Sequence, residues 1–98
     1  MHRLHLLITG RVQGVGFRWY VLQAATALGV AGEVRNQGDG AVVVEAEGPR
    51  QALEDLLEEV RQGPPAAVVM RVDARWEEGP GRYHDFHIGR SSSETHGS

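Results

Sequence analysis

Cysteine is absent from this 98-residue chain, and so is lysine: all ten basic residues are arginine. The missing thiols exclude a disulfide scaffold, thiol catalysis, iron–sulfur clusters and zinc sites built on Cys. They fit a reducing compartment. The arginine-only usage reads as a compositional habit of the source genome. No apolar run approaches the roughly 20 residues of a membrane helix. The opening MHRLHLLITG is too short for a secretion signal and lacks a small-residue cleavage site. Positive charge is not in excess either, since the formal net charge is −3. A general basic surface for nucleic acid is therefore excluded, and any anionic ligand must be held by a local arrangement. The expectation is a soluble cytoplasmic protein with no membrane or nucleic-acid partner.

What the chain does have is enough for one modest core. Hydrophobic residues make up 41% and charged residues 23%, an ordinary globular balance. Residues 1–90 are expected to form a single domain. The polar stretch 91–98 is expected to be a disordered tail, because it holds no apolar residue.

Two periodicities organise the domain. Leu4, Leu6 and Ile8 alternate with Arg3, His5 and Thr9, the mark of a half-buried strand over 3–10. Residues 10–16 read GRVQGVG, a loop that must turn sharply or approach something closely. Val21, Ala24, Ala25 and Leu28 then give a helical stripe over 17–28, with Gly29 as its stop. A short second strand over 31–37 leads through Gly38, Asp39 and Gly40 into a third, 41–47, with Val42, Val44 and Ala46 on one face. Leu53, Leu56, Leu57 and Val60 define a second helix over 50–62, its acidic residues turned to water. In the fourth strand Val68, Met70, Val72, Ala74 and Trp76 share one face, with Trp76 in the core. Phe86 and Ile88 mark a short fifth strand. The order βαββαβ plus a short strand predicts an α+β fold, a ferredoxin-like α/β sandwich. Two helices cover one face of a mostly antiparallel sheet.

This topology locates a site. A right-handed crossover makes the first two strands parallel with the third between them, so both end at one edge of the sheet. The glycine loop and Asn36 should therefore be neighbours, with Asn36 on the helix side, as Val34 is. The loop feeds a helix N-terminus, where free N–H groups attract an anion. Gly14 and Gly16 let successive N–H groups converge into a nest. Arg18, in the first helical turn, is disfavoured there by the helix dipole unless an anion pairs with it.

The segment Gly10-Arg11-Val12-Gln13-Gly14-Val15-Gly16-Phe17-Arg18 closely resembles the first signature of the acylphosphatase family. Gly32-Glu33-Val34-Arg35-Asn36-Gln37-Gly38-Asp39-Gly40, followed by Val42 and Gly48, resembles the second, and Tyr83 with Phe86-His87-Ile88 is similar to the family's last strand. The match spans about residues 3–90. The resemblance implies hydrolysis of small acyl phosphates to a carboxylate and inorganic phosphate, with no metal and no cofactor. It assigns phosphate binding to Arg18 and to the backbone of Gln13, Gly14, Val15, Gly16 and Phe17, and placement of the attacking water to Asn36. One position departs: the residue after Gly32 is usually aromatic in the family and is Glu33 here, which puts substrate range and local stability in doubt.

The chemistry agrees with so sparse a set of groups. The leaving carboxylate has a conjugate acid with a pKa of about 4, so it needs no general acid. What remains is to hold the phosphoryl group, neutralise it and place water in line. Asn is no base, but its amide orients water. Other residues have plainer readings. His84 and His87 fall on opposite faces of a strand, a poor metal pair. His2 and His5 read as surface residues of the sheet. Trp19 and Tyr20 either pack on the sheet or line the mouth of the site. The main rival, a binding module, lacks an aromatic platform for RNA: the outer faces carry Arg3, His5, Leu7, Val43, Glu45 and Glu47. A closer rival is a piece of a larger carbamoyl-transfer protein of hydrogenase maturation, in which such domains also occur. The complete-looking fold and polar tail favour a free-standing, monomeric enzyme. Acetyl, carbamoyl and glyceroyl phosphate all suit the chemistry.

Overall fold

Strand β1 (His2–Arg11) buries Leu4, Leu6 and Ile8 on one side, and the chain then forms α1 (Phe17–Leu28), β2 (Ala31–Asn36), β3 (Val42–Gly48), α2 (Arg50–Gln62), β4 (Val68–Glu78) and β5 (Phe86–Ile88). The computed structural model describes residues 1–91; apart from Ser91, the tail expected to be disordered lies outside the described residues. The sheet order is β4-β1-β3-β2-β5. Strand β3 runs antiparallel between β1 and β2, so those two are parallel and finish at the same edge. Strand β5 joins the far side of β2 in parallel, which makes the sheet mixed.

One core lies between helices and sheet. Val21 and Ala25 of α1 and Leu53, Leu56 and Val60 of α2 are buried with Leu4, Ile8, Val34 and Val44 from the strands. Helix α1 ends where Gly29 adopts φ 73°, which lets the Val30 N–H reach the Ala25 carbonyl at 3.1 Å and satisfy a terminal acceptor.

Strand β4 departs from the simple alternation. Thr9 pairs with Arg71, but Gly10 pairs with Val69, so Met70 is an extra residue on the β4 side. Such a bulge reverses the facing of everything beyond it. Val72 packs against the core, but so does Val69, while Val68 and Met70 point to solvent. Trp76, expected in the core, is half-buried and carries the Arg50 guanidinium 3.8 Å above its ring.

The open face of the sheet is a lattice of charges. Arg3 and Glu47 are both buried there and pair at 3.3 Å; Arg3 also donates to Glu77 and to the Pro80 carbonyl. Glu47 accepts the backbone N–H groups of Arg82 and Tyr83, which ties the loop before β5 to the sheet. Tyr83 donates its hydroxyl to Glu45 at 2.7 Å, and on the helix side Tyr20 donates to Glu59. For both phenols burial, then the hydrogen bond to a carboxylate and that carboxylate's charge, push the pKa up to about 12. These are the chain's only two tyrosines. Absorbance titration of the native protein should therefore show no phenolate step near pH 10. In denaturant the step should return to about 10. Because the native state holds these protons more tightly, stability should fall as pH rises from about 10 to about 12. A native step at pH 10 worth one phenolate would refute one of the two hydrogen bonds, and a step worth two would refute both.

Candidate active site

The loop between β1 and α1 contains two kinds of glycine. At Gly10 (φ 132°) a Cβ would lie 2.2 Å from the Val68 carbonyl, so the close passage of β4 demands glycine. At Gly14 (φ 75°) and Gly16 (φ 78°) a Cβ would meet nothing within 4 Å, and there the left-handed backbone is the constraint. Left-handed glycines alternating with ordinary residues turn neighbouring N–H groups toward one side. The loop is anchored at both ends, since Val12 and Phe17 are each 1% exposed.

Helix α1 starts from Gly16 with no side-chain cap and no acidic residue in its first turn. Its positive end is therefore uncompensated from within the helix. Arg18, in that turn, is half-buried, and the ion pairs among the described residues involve Arg3, Arg35, Arg50, Arg71 and Arg75 but not Arg18. A half-buried guanidinium beside the positive end of a helix, with no carboxylate, is an arrangement that an anion completes.

These groups surround a cavity of about 200 Å³, walled by Gly14, Gly16, Phe17 and Arg18 with Val12, Trp19 and Ile88. That is smaller than the roughly 300 Å³ at which pockets for drug-sized ligands begin, and suits a small one. Of the two placements left open for Trp19 and Tyr20, Trp19 takes the mouth of this cavity. Tyr20 instead packs against the core and lines a separate hollow between the helices. Asp55 and Glu59 line that hollow and would repel an anion.

Asn36 stands at the end of β2 on the Val34 face, close to the loop. The link is Gln13, whose side-chain amide donates to the carbonyls of Gln37 at 2.8 Å and Ala41 at 2.9 Å, stapling the glycine loop to the turn that follows Asn36. The Asn36 Oδ1 is buried with no hydrogen-bond partner among the described residues. An orphaned buried acceptor costs about 1–3 kcal/mol and calls for a functional explanation. Neither Asn36 nor Gln13 nor Val15 forms part of the cavity wall: Val15 packs on the core and Gln13 reaches the turn. The staple is invisible in the sequence, because its partners are backbone carbonyls 24 and 28 residues away.

Glu33 lies away from the cavity. Its carboxylate sits on the open sheet face, 3.2 Å from Arg35 and 3.3 Å from His87. Its side chain fills the space where a Cβ on Gly89 would lie, 2.4 Å from Oε2. The departure from an aromatic residue thus acts on the β2–β5 edge. His87 is engaged with Glu33 and Asp85 on that face.

The acylphosphatase family model matches residues 4–88. An acylphosphatase of Salinibacter ruber is 48% identical over 88 residues, covering 90% of this chain and 93% of that one. The crystal structure of acylphosphatase from Bacillus subtilis superposes with a TM-score of 0.88 at 37% identity, covering 91% of this chain and 99% of the other. Full-length HypF in its phosphate- and nucleotide-bound form is similar over 96% of this chain but only 12% of its own length, with a TM-score of 0.84 and 31% identity. The chain belongs to the acylphosphatase family.

Proposed function

We propose that this protein hydrolyses the carboxyl-phosphate bond of small acyl phosphates, without metal or cofactor, at the cavity beneath the glycine loop. The reaction is that of its family, hydrolysis of an acid anhydride. The observation that carries the site assignment is Arg18, without an ion pair among the described residues, beside the uncapped start of α1 and lining one cavity with two left-handed glycines. Arg18 offers two N–H groups to two phosphoryl oxygens, and the backbone from Gln13 to Phe17 takes the remaining charge. Water placed by the Asn36 side-chain amide attacks phosphorus opposite the acyl oxygen. The P–O bond to the acyl group breaks and its electron pair leaves with the carboxylate. One water proton passes to a phosphoryl oxygen, and carboxylate and inorganic phosphate depart. No side-chain acid is required, because the carboxylate is a good leaving group.

The same reading takes the protein as a cytoplasmic monomer. It needs neither nucleic acid nor membrane. The net charge of −3 supports the first of these, and no helix among the described residues is long and apolar enough to cross a membrane. The likeness to a small part of the much longer HypF chain supports a second reading already open from the sequence, a module of a larger carbamoyl-transfer protein. Steady-state hydrolysis of benzoyl and carbamoyl phosphate in the presence of EDTA tests both. Equimolar benzoate and phosphate, undiminished by EDTA, is the expected result. Loss of turnover in EDTA would overturn the metal-free mechanism. Turnover of carbamoyl phosphate alone would favour the second reading. Failure on both substrates by a folded protein would overturn the activity.

A further inference from the structure

Five large apolar side chains stand more than a third exposed: Met1, Trp19, Val68, Met70 and Ile88. Val68 and Met70 are accounted for by the β4 bulge. Trp19, 57% exposed, and Ile88, 38% exposed, have no such origin, and both wall the cavity that holds Arg18. They arrive from opposite ends of the chain. Trp19 follows Arg18 in the first turn of α1. Ile88 is paired with Val34 in the parallel β2–β5 ladder, two residues short of Asn36 along β2. The loop that delivers β5 is itself fixed by the Glu47 carboxylate, so Ile88 has a defined position. Beyond the cavity, Trp19 also walls a shallow apolar hollow along α1 with Leu22 and Ala27.

An exposed indole adds little to the fold, because an aromatic side chain stabilises through the 150–250 Å² it can bury. Here it borders a small cavity whose wall combines Arg18 and the glycine loop with the apolar side chains of Val12, Phe17 and Ile88. An acyl phosphate has the same two halves, an anionic phosphoryl group and an acyl group. We infer that Trp19 and Ile88 form the acyl-group face of this site, and that the protein favours acyl phosphates with aromatic or bulky apolar acyl groups over acetyl phosphate. The inference rests on the acylphosphatase reading. A planar acyl group stacks on the indole and touches Ile88, contacts that acetyl is too small to make in full. Discrimination then comes from contact area in an apolar pocket, which is worth on the order of 10- to 200-fold per added group.

The test compares two ratios in the wild type, Trp19→Ala, Trp19→Phe and Ile88→Ser. One is kcat/KM for benzoyl phosphate over acetyl phosphate. The other is the Kd of methylphosphonate over that of phenylphosphonate, read by calorimetry without turnover. Each ratio should fall about tenfold in Trp19→Ala, less in Ile88→Ser, and recover largely in Trp19→Phe. Ratios unchanged in Trp19→Ala would overturn the acyl face, as would equal losses on both substrates. A wild type that hydrolyses neither substrate would overturn the acylphosphatase reading instead, and the phosphonate ratio would still decide what Trp19 does. Trp19 is exposed and outside the core, so a folding defect does not obscure the result.

Discussion

Replacing Arg18 by Ala should lower kcat/KM for benzoyl phosphate by on the order of 10²–10⁴, and replacing Asn36 by Ala should do the same by a different route. In the proposed mechanism Arg18 meets the phosphoryl oxygens before and during reaction. Its loss should raise KM, weaken competitive inhibition by inorganic phosphate and lower kcat together. Arg18→Lys should recover only part of this, because an ammonium lacks the two-pronged geometry. In the proposed mechanism Asn36 meets only the water. Its loss should fall on kcat and leave KM and phosphate inhibition nearly as they were. The fold should survive both changes, because Arg18 makes no ion pair among the described residues. In Asn36→Ala stability should hold or rise, since the variant removes a buried Oδ1 that has no partner. Near-normal turnover in Asn36→Ala, or a loss of stability that accounts for the loss of rate, would remove Asn36 from the mechanism.

The separation between these two effects follows from features with different visibility in the sequence. Asn36 can be placed on the helix side near the glycine loop because β2 has a strict period of two and one crossover topology fits the element order. Arg18 is conspicuous because it sits where the helix dipole disfavours it. The outline of the fold comes from the same source: each strand has one buried face, so Leu4, Leu6 and Ile8, or Val42, Val44 and Ala46, announce it. Strand β4 defeats that logic. It carries apolar residues on both sides of Met70, and period alone does not reveal an extra residue in one strand. The Gln13 staple is equally hidden, since a glutamine in a loop announces no partner. Nor does sequence distinguish Gly10, which yields to the Val68 carbonyl, from Gly14 and Gly16, which supply a backbone conformation. The resemblance to the family carries the role of the loop. The structure adds that the Gln13 side chain ties this loop to the turn after Asn36.

Phe17 joins the stability of the fold to the shape of the site, and Phe17→Ala should cost about 3–5 kcal/mol. Its ring is 1% exposed, belongs to the core, and lies 6.2 Å, centroid to centroid, from Tyr20. It also reaches the end of α2, where a Cβ on Gly63 would come within 3.3 Å of its Cε2. The cavity left by truncation would open directly under the anion loop, between α1, α2 and the core. Domains of this size are stable by only about 5–15 kcal/mol, so the variant should unfold at a much lower urea concentration. Its folded fraction should also be slow, because the backbone from Gln13 to Gly16 would lose the anchor at its helical end and keep only Val12, the partly buried Val15 and the Gln13 staple. A misplacement of about 1 Å at a phosphoryl cradle can cost on the order of 100-fold in rate. Phe17→Leu, which refills most of the volume, should restore the urea midpoint to a greater degree than Phe17→Ala and bring turnover back with it. If turnover per folded molecule is normal in Phe17→Ala, the loop holds its shape without the ring beneath it, and the coupling of core to site is refuted.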